Sequence, residues 1–368
     1  MKKLSLFIST LTSGGAERVC STLANRLSRD YDVEVFSNTR MGVFYQFNDS
    51  INVADLGFNF GDRSILVKIL DQVTIFRTFM KVFINGRKEP DTVFVSFLTE
   101  FNLWFAFLSI FFRNQSVILC EHNNYYAFGG KLRRFVRNIL YYCSAAQITV
   151  LTSRDILNYP SIFQGRLRVM PNPIVLDTEH KRTSGVDNGE QTIRLLTIGR
   201  LTEQKGYDRL ISIMAKLSEI IPDGWVLNIY GSGELEEKII EMIYTHNLQD
   251  KVILNKPNKR IEEAYFNSDI YVMTSYWEGL PMVLGEAMVS GLPIITYDCP
   301  TGPREMIEDC INGYLIENGN EKQYLDRLVQ LVSCSHTRES LSKAGIRAAK
   351  KWSLEAVYSE WKNLLREI

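Results

Sequence analysis

The sequence has no excess charge of either sign, little cysteine or histidine, and no long apolar run. Its 42 Lys and Arg residues balance 42 Asp and Glu residues, so the chain has no overall basic character that would attract nucleic acid. The six cysteines include no Cys-x-x-Cys pair and there are only four histidines, which predicts reduced thiols rather than disulfides or structural zinc. The most apolar segment, Phe101–Phe112, is shorter than the ~20 residues of a membrane-spanning helix.

Two common phosphate-binding signatures are also missing. The loop that contains Gly14-Gly15 lacks the Gly-x-Gly-x-x-Gly spacing of a dinucleotide site, which argues against a nicotinamide-dependent enzyme. The only Asp-x-Asp is Asp30-Tyr31-Asp32, which we interpret as a turn and not as a metal site. The apolar start, Leu4–Ser9, is predicted to be a buried first strand, with a short signal peptide as the alternative.

What the sequence does contain is a long alternation of short apolar strands with helical patterns. At 368 residues it is long enough for two domains. A polar stretch at 178–192 predicts a linker between residues 1–177 and 193–350, and residues 351–368 form a C-terminal helix. Such alternation predicts an α/β protein with two doubly wound, Rossmann-like domains, whose strand carboxyl ends face a central cleft. The predicted strands are 4–9, 32–37, 92–97, 116–120, 147–151, 167–170, 194–198, 225–230, 251–254, 269–273 and 293–297.

Two cations follow the first strand of the second domain. Arg200 and Lys205 lie between that strand and a helix predicted over 208–220. An arginine fork and a lysine ammonium at such a position suit a diphosphate, although two solvated surface charges would give the same pattern. Gly231 ends the next strand in a turn where the backbone can approach a ligand.

The most specific segment runs from Ser275 to Met288. Pro281 fits the first turn of a helix, which places Glu278 in the preceding loop and Glu286 on the helix. The amides between the two glutamates would form an anion site at the helix N-terminus. Glu286 could then accept hydrogen bonds from a ribose diol, and Glu278 could reach the hydroxyls of a sugar beyond the phosphates. Chance spacing of two glutamates is the alternative.

In the first domain, His122 follows a strand end within Cys120-Glu121-His122-Asn123. A lone histidine is more often a packed or surface residue than a catalytic one. A position at the carboxyl end of a strand, where doubly wound folds bind ligands, favours a functional role.

Six short motifs follow one another along the chain. They are Gly14–Arg18, Glu121–Asn123, Pro171–Pro173, the Gly-Arg-x4-Lys-Gly of 199–206, the Gly-Ser-Gly-Glu of 231–234, and the Glu-x7-Glu of 278–286. Together they resemble the family-4 retaining glycosyltransferases of the GT-B fold, which build bacterial lipopolysaccharide, capsule and lipid-linked oligosaccharides. The resemblance extends to the end of the chain, where Trp352–Glu355 opens a helix of the kind that crosses back onto the first domain.

The resemblance implies a role for individual residues. It makes His122, Arg200, Lys205 and Glu278 catalytic, with no cofactor and no metal. Thr301–Glu305 resembles a subset that uses UDP-hexoses or UDP-N-acetylhexosamines. The stretch 255–261 corresponds to the base-binding loop but departs from the usual glycine-led form. The implied donor-binding residues are Gly15, Arg200, Lys205, Gly231, Pro257, Ile261, Glu278, Gly279, Leu280, Met282, Val283 and Glu286.

The expected reaction is transfer of a hexosyl or N-acetylhexosaminyl group from a nucleotide sugar to a lipid-linked or polysaccharide glycan. Fixed donors would stabilise the charge that develops on the departing diphosphate. Same-face attack by the acceptor and a double displacement through a covalent intermediate both remain open. A nucleotide-sugar epimerase and a catalytically silent binding subunit are the alternatives.

Residues 131–143 predict an amphipathic helix at a membrane surface. Apolar residues follow helical spacing, and Arg133, Arg134 and Arg137 are placed on the opposite face, where they could meet anionic headgroups or the acceptor's diphosphate. The alternative is a helix whose apolar face is core and whose cations are solvated. The expected location is cytoplasmic, at the inner face of the cell membrane.

Overall fold

The computed structural model describes residues 2–12, 14–57, 65–176, 192–258 and 260–368, without the side chains at 65–70 and 127. The chain divides into two compact units. Unit 1 comprises Met1–Pro173 and Glu355–Ile368, and unit 2 comprises Ile174–Leu354. Of the predicted linker, residues 178–191 lie outside the described residues.

Unit 1 is built on a seven-stranded sheet in the order β3-β2-β1-β4-β5-β6-β7. Neighbouring strands are parallel throughout this sheet. Parallel strands need crossover helices, which cover both faces and explain the near-continuous apolar runs in the sequence. The strands are β1 (Lys3–Leu11), β2 (Asp32–Val43), β3 (Asn52–Asp55), β4 (Thr92–Phe97), β5 (Ser116–Cys120), β6 (Gln147–Val150) and β7 (Leu167–Val169).

The helices of unit 1 pack around an aromatic core. Phe7 on β1 stacks against Phe36, with ring centroids 4.6 Å apart, and Phe79 and Phe105 contact it from two helices. Aromatic side chains bury a large area each and account for much of such a core. The helices are α1 (Gly15–Leu27), α2 (Ile65–Gly86), α3 (Thr99–Phe111), α4 (Lys131–Cys143), α5 (Ser153–Asn158) and, from the end of the chain, α13 (Leu354–Glu367).

Helix α13 is joined to unit 1 by polar and apolar contacts. Arg26 on α1 donates to Glu355 at 2.7 Å, and its guanidinium lies 3.6 Å from the ring centroid of Tyr358. Asp30 accepts hydrogen bonds from Tyr358 and Arg26. The Asp30-Tyr31-Asp32 segment therefore holds a helix through Asp30, in a turn before β2.

Unit 2 contains a six-stranded sheet in the order β10-β9-β8-β11-β12-β13. Its strands are again parallel to their neighbours. The strands are β8 (Ile193–Ile198), β9 (Trp225–Tyr230), β10 (Val252–Asn255), β11 (Ile270–Met273), β12 (Ile294–Asp298) and β13 (Tyr314–Glu317). The helices are α6 (Tyr207–Ile220), α7 (Glu236–Thr245), α8 (Ile261–Phe266), α9 (Met282–Val289), α10 (Pro303–Met306), α11 (Glu321–Ser333) and α12 (Ser335–Ala349).

Both sheets follow the order of doubly wound nucleotide-binding folds, which confirms the predicted α/β class. The strand order reverses between β1 and β4 in unit 1 and between β8 and β11 in unit 2. Ligands of such folds bind beyond the carboxyl ends of the strands at this reversal. The sequence analysis missed β3 and β13, one edge strand of each sheet.

Candidate active site

The loop after β8 carries the two predicted cations of unit 2. Lys205 ends a single 3-10 turn, and Gly206 follows in the left-handed conformation with φ of 62°. A Cβ at Gly206 would lie 2.3 Å from the carbonyl oxygen of Thr274, so only glycine lets this loop pack on the end of β11. Arg200 is exposed, its carbonyl accepts from the Thr202 amide at 2.9 Å, and its side chain forms no hydrogen bond with the described residues.

Lys205 and Glu278 form an ion pair. They can meet because they follow β8 and β11, the neighbouring strands between which the strand order reverses. The Lys205 Nζ lies 2.7 Å from Glu278 Oε1, and the side chains are 17% and 6% exposed. The same oxygen accepts from Ser275 Oγ at 2.7 Å, while Gln204 Nε2 lies 3.4 Å from Oε2. A buried carboxylate needs such partners to remain charged.

A second loop, after β12, holds the backbone around Glu278. The Glu278 amide donates to the Pro300 carbonyl at 2.9 Å, and Thr301 Oγ1 donates to the Glu278 carbonyl at 2.9 Å. Gly302 has φ of 83°, and a Cβ there would lie 2.0 Å from the Gly279 carbonyl oxygen. The Thr301–Glu305 motif thus supports the glutamate loop directly.

Helix α9 begins one residue later than the sequence analysis placed it. Pro281 is its N-cap and not a first-turn residue, and the Leu284 amide donates to the Pro281 carbonyl at 3.1 Å. The amides of Met282 and Val283 come too early in the helix for an intrahelical acceptor, and the helix dipole adds partial positive charge there. With Gly279 and Leu280 they form the backbone that was predicted to meet an anion.

Glu286 lies on α9 and is 2% exposed. Tyr265 on α8 donates a hydrogen bond to its Oε2 at 2.6 Å. The sequence analysis missed Tyr265, because nothing in the sequence of a six-residue helix indicates which distant carboxylate its hydroxyl meets.

Three other predicted donor residues form no hydrogen bond or ion pair with this cluster among the described residues. Gly231 packs against the β8 loop, where a Cβ would lie 2.0 Å from the Gly199 carbonyl oxygen. Loop packing is therefore sufficient to explain that glycine. Pro257 is exposed in the loop after β10, and half-buried Ile261 begins α8.

Two predicted residues belong to unit 1. Gly15 begins α1, and a Cβ added there would meet no atom within 4 Å. His122 follows β5, and its ring stacks on Phe97 with centroids 5.3 Å apart. Both ring nitrogens are buried. Burial lowers the pKa of His122 to about 4, while Asn172 acts in the opposite direction, so the imidazole is neutral at pH 7.

Helix α4 corrects one prediction. Arg137 is only 1% exposed, so it cannot bind headgroups or an acceptor. Its guanidinium lies 4.4 Å and 5.1 Å from the ring centroids of Tyr125 and Tyr159. It packs there because α4 turns Arg137 inward and its apolar side chains outward. Arg133 is exposed, and Arg134 donates to the Gly129 carbonyl at 2.7 Å.

The described residues contain neither a candidate metal cluster nor a candidate membrane span. Among the described residues, no group of three or more His, Cys, Asp and Glu side chains could hold a metal ion. No described helix has both the length and the apolar character to cross a bilayer.

Comparisons with known proteins show which proteins this chain is similar to. Residues 178–348 match the family described as glycosyl transferases group 1. The chain is 29% identical to the amylovoran biosynthesis glycosyltransferase AmsD of Erwinia amylovora, over 99% of this chain and 100% of the relative. It is 26% identical to an α-1,4-N-acetyl-D-galactosaminyltransferase of Campylobacter jejuni that acts on a diNAcBac-PP-undecaprenol-linked glycan, over 100% of this chain and 99% of the relative.

Solved structures give the same fold. HepE of Anabaena, in complex with UDP and glucose, aligns with a TM-score of 0.79 at 15% identity, over 100% of both chains. The protein thus has the GT-B fold, and its full-length relatives together with the match of residues 178–348 show that it is a glycosyltransferase. The match to the group 1 family agrees with the resemblance of the ordered motifs, and these similarities do not favour the epimerase or silent-subunit alternatives.

Proposed function

We propose that this enzyme transfers a hexosyl or N-acetylhexosaminyl group from a UDP-sugar, with retention, to a lipid-linked or polysaccharide glycan in bacterial surface-glycan synthesis. The ion pair of Lys205 and Glu278, beside the N-terminus of α9, is the observation that carries the proposal. The named activities of the relatives support the substrate classes. The TM-scores support the fold only.

The geometry supports separate roles for the site residues of unit 2. An ammonium has three donors, so Lys205 can hold Glu278 with one and meet phosphate oxygens with the others. Arg200 and the first amides of α9 would supply further donors to the diphosphate, and Gly231 would let backbone approach it. Glu278 Oε2, whose Gln204 contact is 3.4 Å long, would accept from a sugar hydroxyl. Glu286 would bind the ribose, and Pro257 and Ile261 the base.

The reaction would proceed without a metal. The bond between the anomeric carbon and the β-phosphate oxygen breaks, a bond to the acceptor hydroxyl forms on the same face, and the hydroxyl proton passes to the leaving phosphate. Fixed cations and amides stabilise the developing charge. Two hydrogen bonds on Glu278 Oε1 reduce its nucleophilicity, which favours this route over a double displacement. His122 would act as a neutral imidazole.

Donor identity can be tested directly. Thermal-shift measurements with UDP, GDP and ADP, followed by the matching sugar nucleotides, should show stabilisation by UDP and by a UDP-hexose or UDP-N-acetylhexosamine. Glu278→Gln should then lower turnover more than UDP affinity, and the matched Glu286→Gln should lower UDP affinity. Equal loss of UDP affinity in both variants would contradict the sugar-side role of Glu278.

The proposed acceptor side includes an anionic membrane surface on the cytoplasmic face. Helix α4 exposes an apolar stripe with helical spacing, in which Leu132, Phe135 and Ile139 are 75%, 62% and 46% exposed. Arg133 and Arg134 flank the stripe. An exposed apolar stripe beside cations is typical of helices that lie in a membrane interface.

Vesicle cosedimentation tests this surface. Phe135→Ser with Ile139→Ser should reduce binding to both neutral and anionic vesicles, whereas Arg133→Ser with Arg134→Ser should reduce binding to anionic vesicles alone. A matched pair on the exposed residues Ile220 and Ile240 of unit 2 should leave binding unchanged. Unaltered binding after the α4 changes would rule this surface out.

A further inference from the structure

Unit 2 contains a pair of buried tyrosines with no role in the proposed mechanism. Tyr265 on α8 and Tyr271 on β11 are both 0% exposed. Their rings stack with centroids 6.0 Å apart and planes 24° apart. The two residues share chemistry, burial and surroundings, but their hydroxyls have different partners.

The Tyr265 hydroxyl contacts the helix that begins at the predicted diphosphate site. It donates to Glu286 Oε2 at 2.6 Å and lies 3.5 Å from the Val283 carbonyl oxygen. Both partners belong to α9. A single buried hydroxyl therefore reaches the first turn of that helix and the carboxylate that follows it.

The Tyr271 hydroxyl instead bonds only backbone. It accepts from the Ile198 amide at 3.3 Å and lies 3.4 Å from the Ile198 carbonyl oxygen, at the end of β8. Removing this hydroxyl would cost buried hydrogen bonds to neutral backbone groups without touching Glu286. Tyr271 is consequently a matched control for Tyr265.

A carboxylate at 2% exposure has little water to orient it or to stabilise its charge. A hydrogen bond to a charged acceptor is stronger than one between neutral groups, and it fixes the direction of the remaining lone pairs. The Tyr265 hydroxyl thus restrains the rotation of the Glu286 carboxylate about its last bond.

We propose that Tyr265 is a positioning residue for nucleotide recognition, whose hydroxyl holds the Glu286 carboxylate in the orientation that accepts the ribose diol of the donor. The inference rests on the proposed role of Glu286. Tyr265 touches no ligand in this arrangement and acts only through Glu286.

Calorimetric titration with UDP and with 2′,3′-dideoxy-UDP tests this role. The unmodified enzyme should bind UDP more tightly than the dideoxy analogue. Tyr265→Phe should weaken UDP binding about tenfold or more, the usual effect of one hydrogen bond to a charged group, and change binding of the analogue by less than about twofold. Tyr271→Phe should keep the preference for UDP even if it lowers stability.

The outcomes separate the inference from the assignment beneath it. If Glu286→Gln removes the preference for UDP and Tyr265→Phe does not, the inference is wrong and the ribose assignment stands. If Tyr271→Phe removes the preference as well, the effect is one of packing and the inference is wrong. If UDP fails to bind, or Glu286→Gln keeps the preference, the ribose assignment fails and the inference with it.

A double variant guards against poor folding of Tyr265→Phe. Changing Glu286→Gln at the same time removes the buried charge that would otherwise lose the Tyr265 hydrogen bond. Because Tyr265 acts through Glu286, the double variant should bind UDP no more weakly than Glu286→Gln alone. A further loss of about tenfold in the double variant would overturn the inference.

Discussion

The two units share a sheet topology but hold their functional groups in different ways. In unit 2 the predicted site residues contact one another: Lys205 and Ser275 hold Glu278, and Tyr265 holds Glu286. In unit 1 the ring nitrogens of His122 are buried, and α4 turns an apolar stripe to solvent. Prearranged charges suit a ligand of constant chemistry, such as the nucleoside diphosphate proposed for unit 2, whereas exposed apolar groups suit the membrane surface proposed for unit 1.

The largest expected effect concerns the inward-facing arginine of unit 1. Arg137→Leu should lower the free energy of unfolding by about 3–4 kcal/mol, because it removes two desolvated cation–π contacts, with Tyr125 and Tyr159, of about 2 kcal/mol each. Urea denaturation measures this. Arg133→Leu on the same helix should change the value by less than about 0.5 kcal/mol. Equal effects would mean that α4 is oriented differently.

The next effect concerns the prearranged charges of unit 2. Lys205→Ala should lower kcat by about a hundredfold or more, on the order of 3 kcal/mol, because the lost donor acts most strongly on the leaving diphosphate. Single-turnover transfer from the donor that thermal shift identifies measures this. Lys216→Ala, which removes an exposed cation paired with Glu321, is the control and should be near normal. Near-normal turnover of Lys205→Ala would place the diphosphate elsewhere.

A smaller effect is expected on the pH dependence of stability, where variants of a histidine in each unit should differ. The folded pKa of His122 is about 4 against 6.5 in the unfolded chain, so acid favours the unfolded state. The stability contribution is fully present above pH 6.5 and is lost as the pH falls towards 4. Between pH 7 and pH 5 the loss is about 2 kcal/mol, from 1.36 kcal/mol for each pH unit below 6.5.

His122→Asn should remove that part of the pH dependence, as measured by urea denaturation at both pH values. The matched His246→Asn, at an exposed residue of unit 2, should leave it in place. If the two variants show the same pH dependence, the imidazole of His122 is not held neutral by burial.

The smallest effect distinguishes two glycines. Gly15→Ala should change the free energy of unfolding by less than about 0.5 kcal/mol, because a Cβ there meets nothing within 4 Å. Gly231→Ala should cost about 1–3 kcal/mol through its clash with the Gly199 carbonyl. Turnover of Gly15→Ala should nevertheless fall if Gly15 is the donor-binding residue that the resemblance implies. Full activity would remove Gly15 from the site.

The sequence determined those features that depend on local pattern. Continuous apolar runs predicted the parallel strands, because strands covered on both faces need apolar residues at every position. The helix predicted over 208–220 is Tyr207–Ile220, and Glu278 and Glu286 lie in a loop and on a helix as predicted. Strand ends and helix starts depend on neighbouring residues, so the positions of Arg200, Lys205, Glu278 and His122 could be predicted from the chain alone.

Tertiary structure alone decided which groups meet. The amphipathic pattern of 131–143 showed two faces but not which one is buried, and the packing of Tyr125 and Tyr159 around Arg137 settled that against expectation. The contact of Tyr265 with Glu286 joins residues from different helices. Periodicity indicates which side chains of one helix or strand share a face. Which residue of another helix or strand a side chain contacts depends on how the elements pack, and no local sequence pattern indicates it.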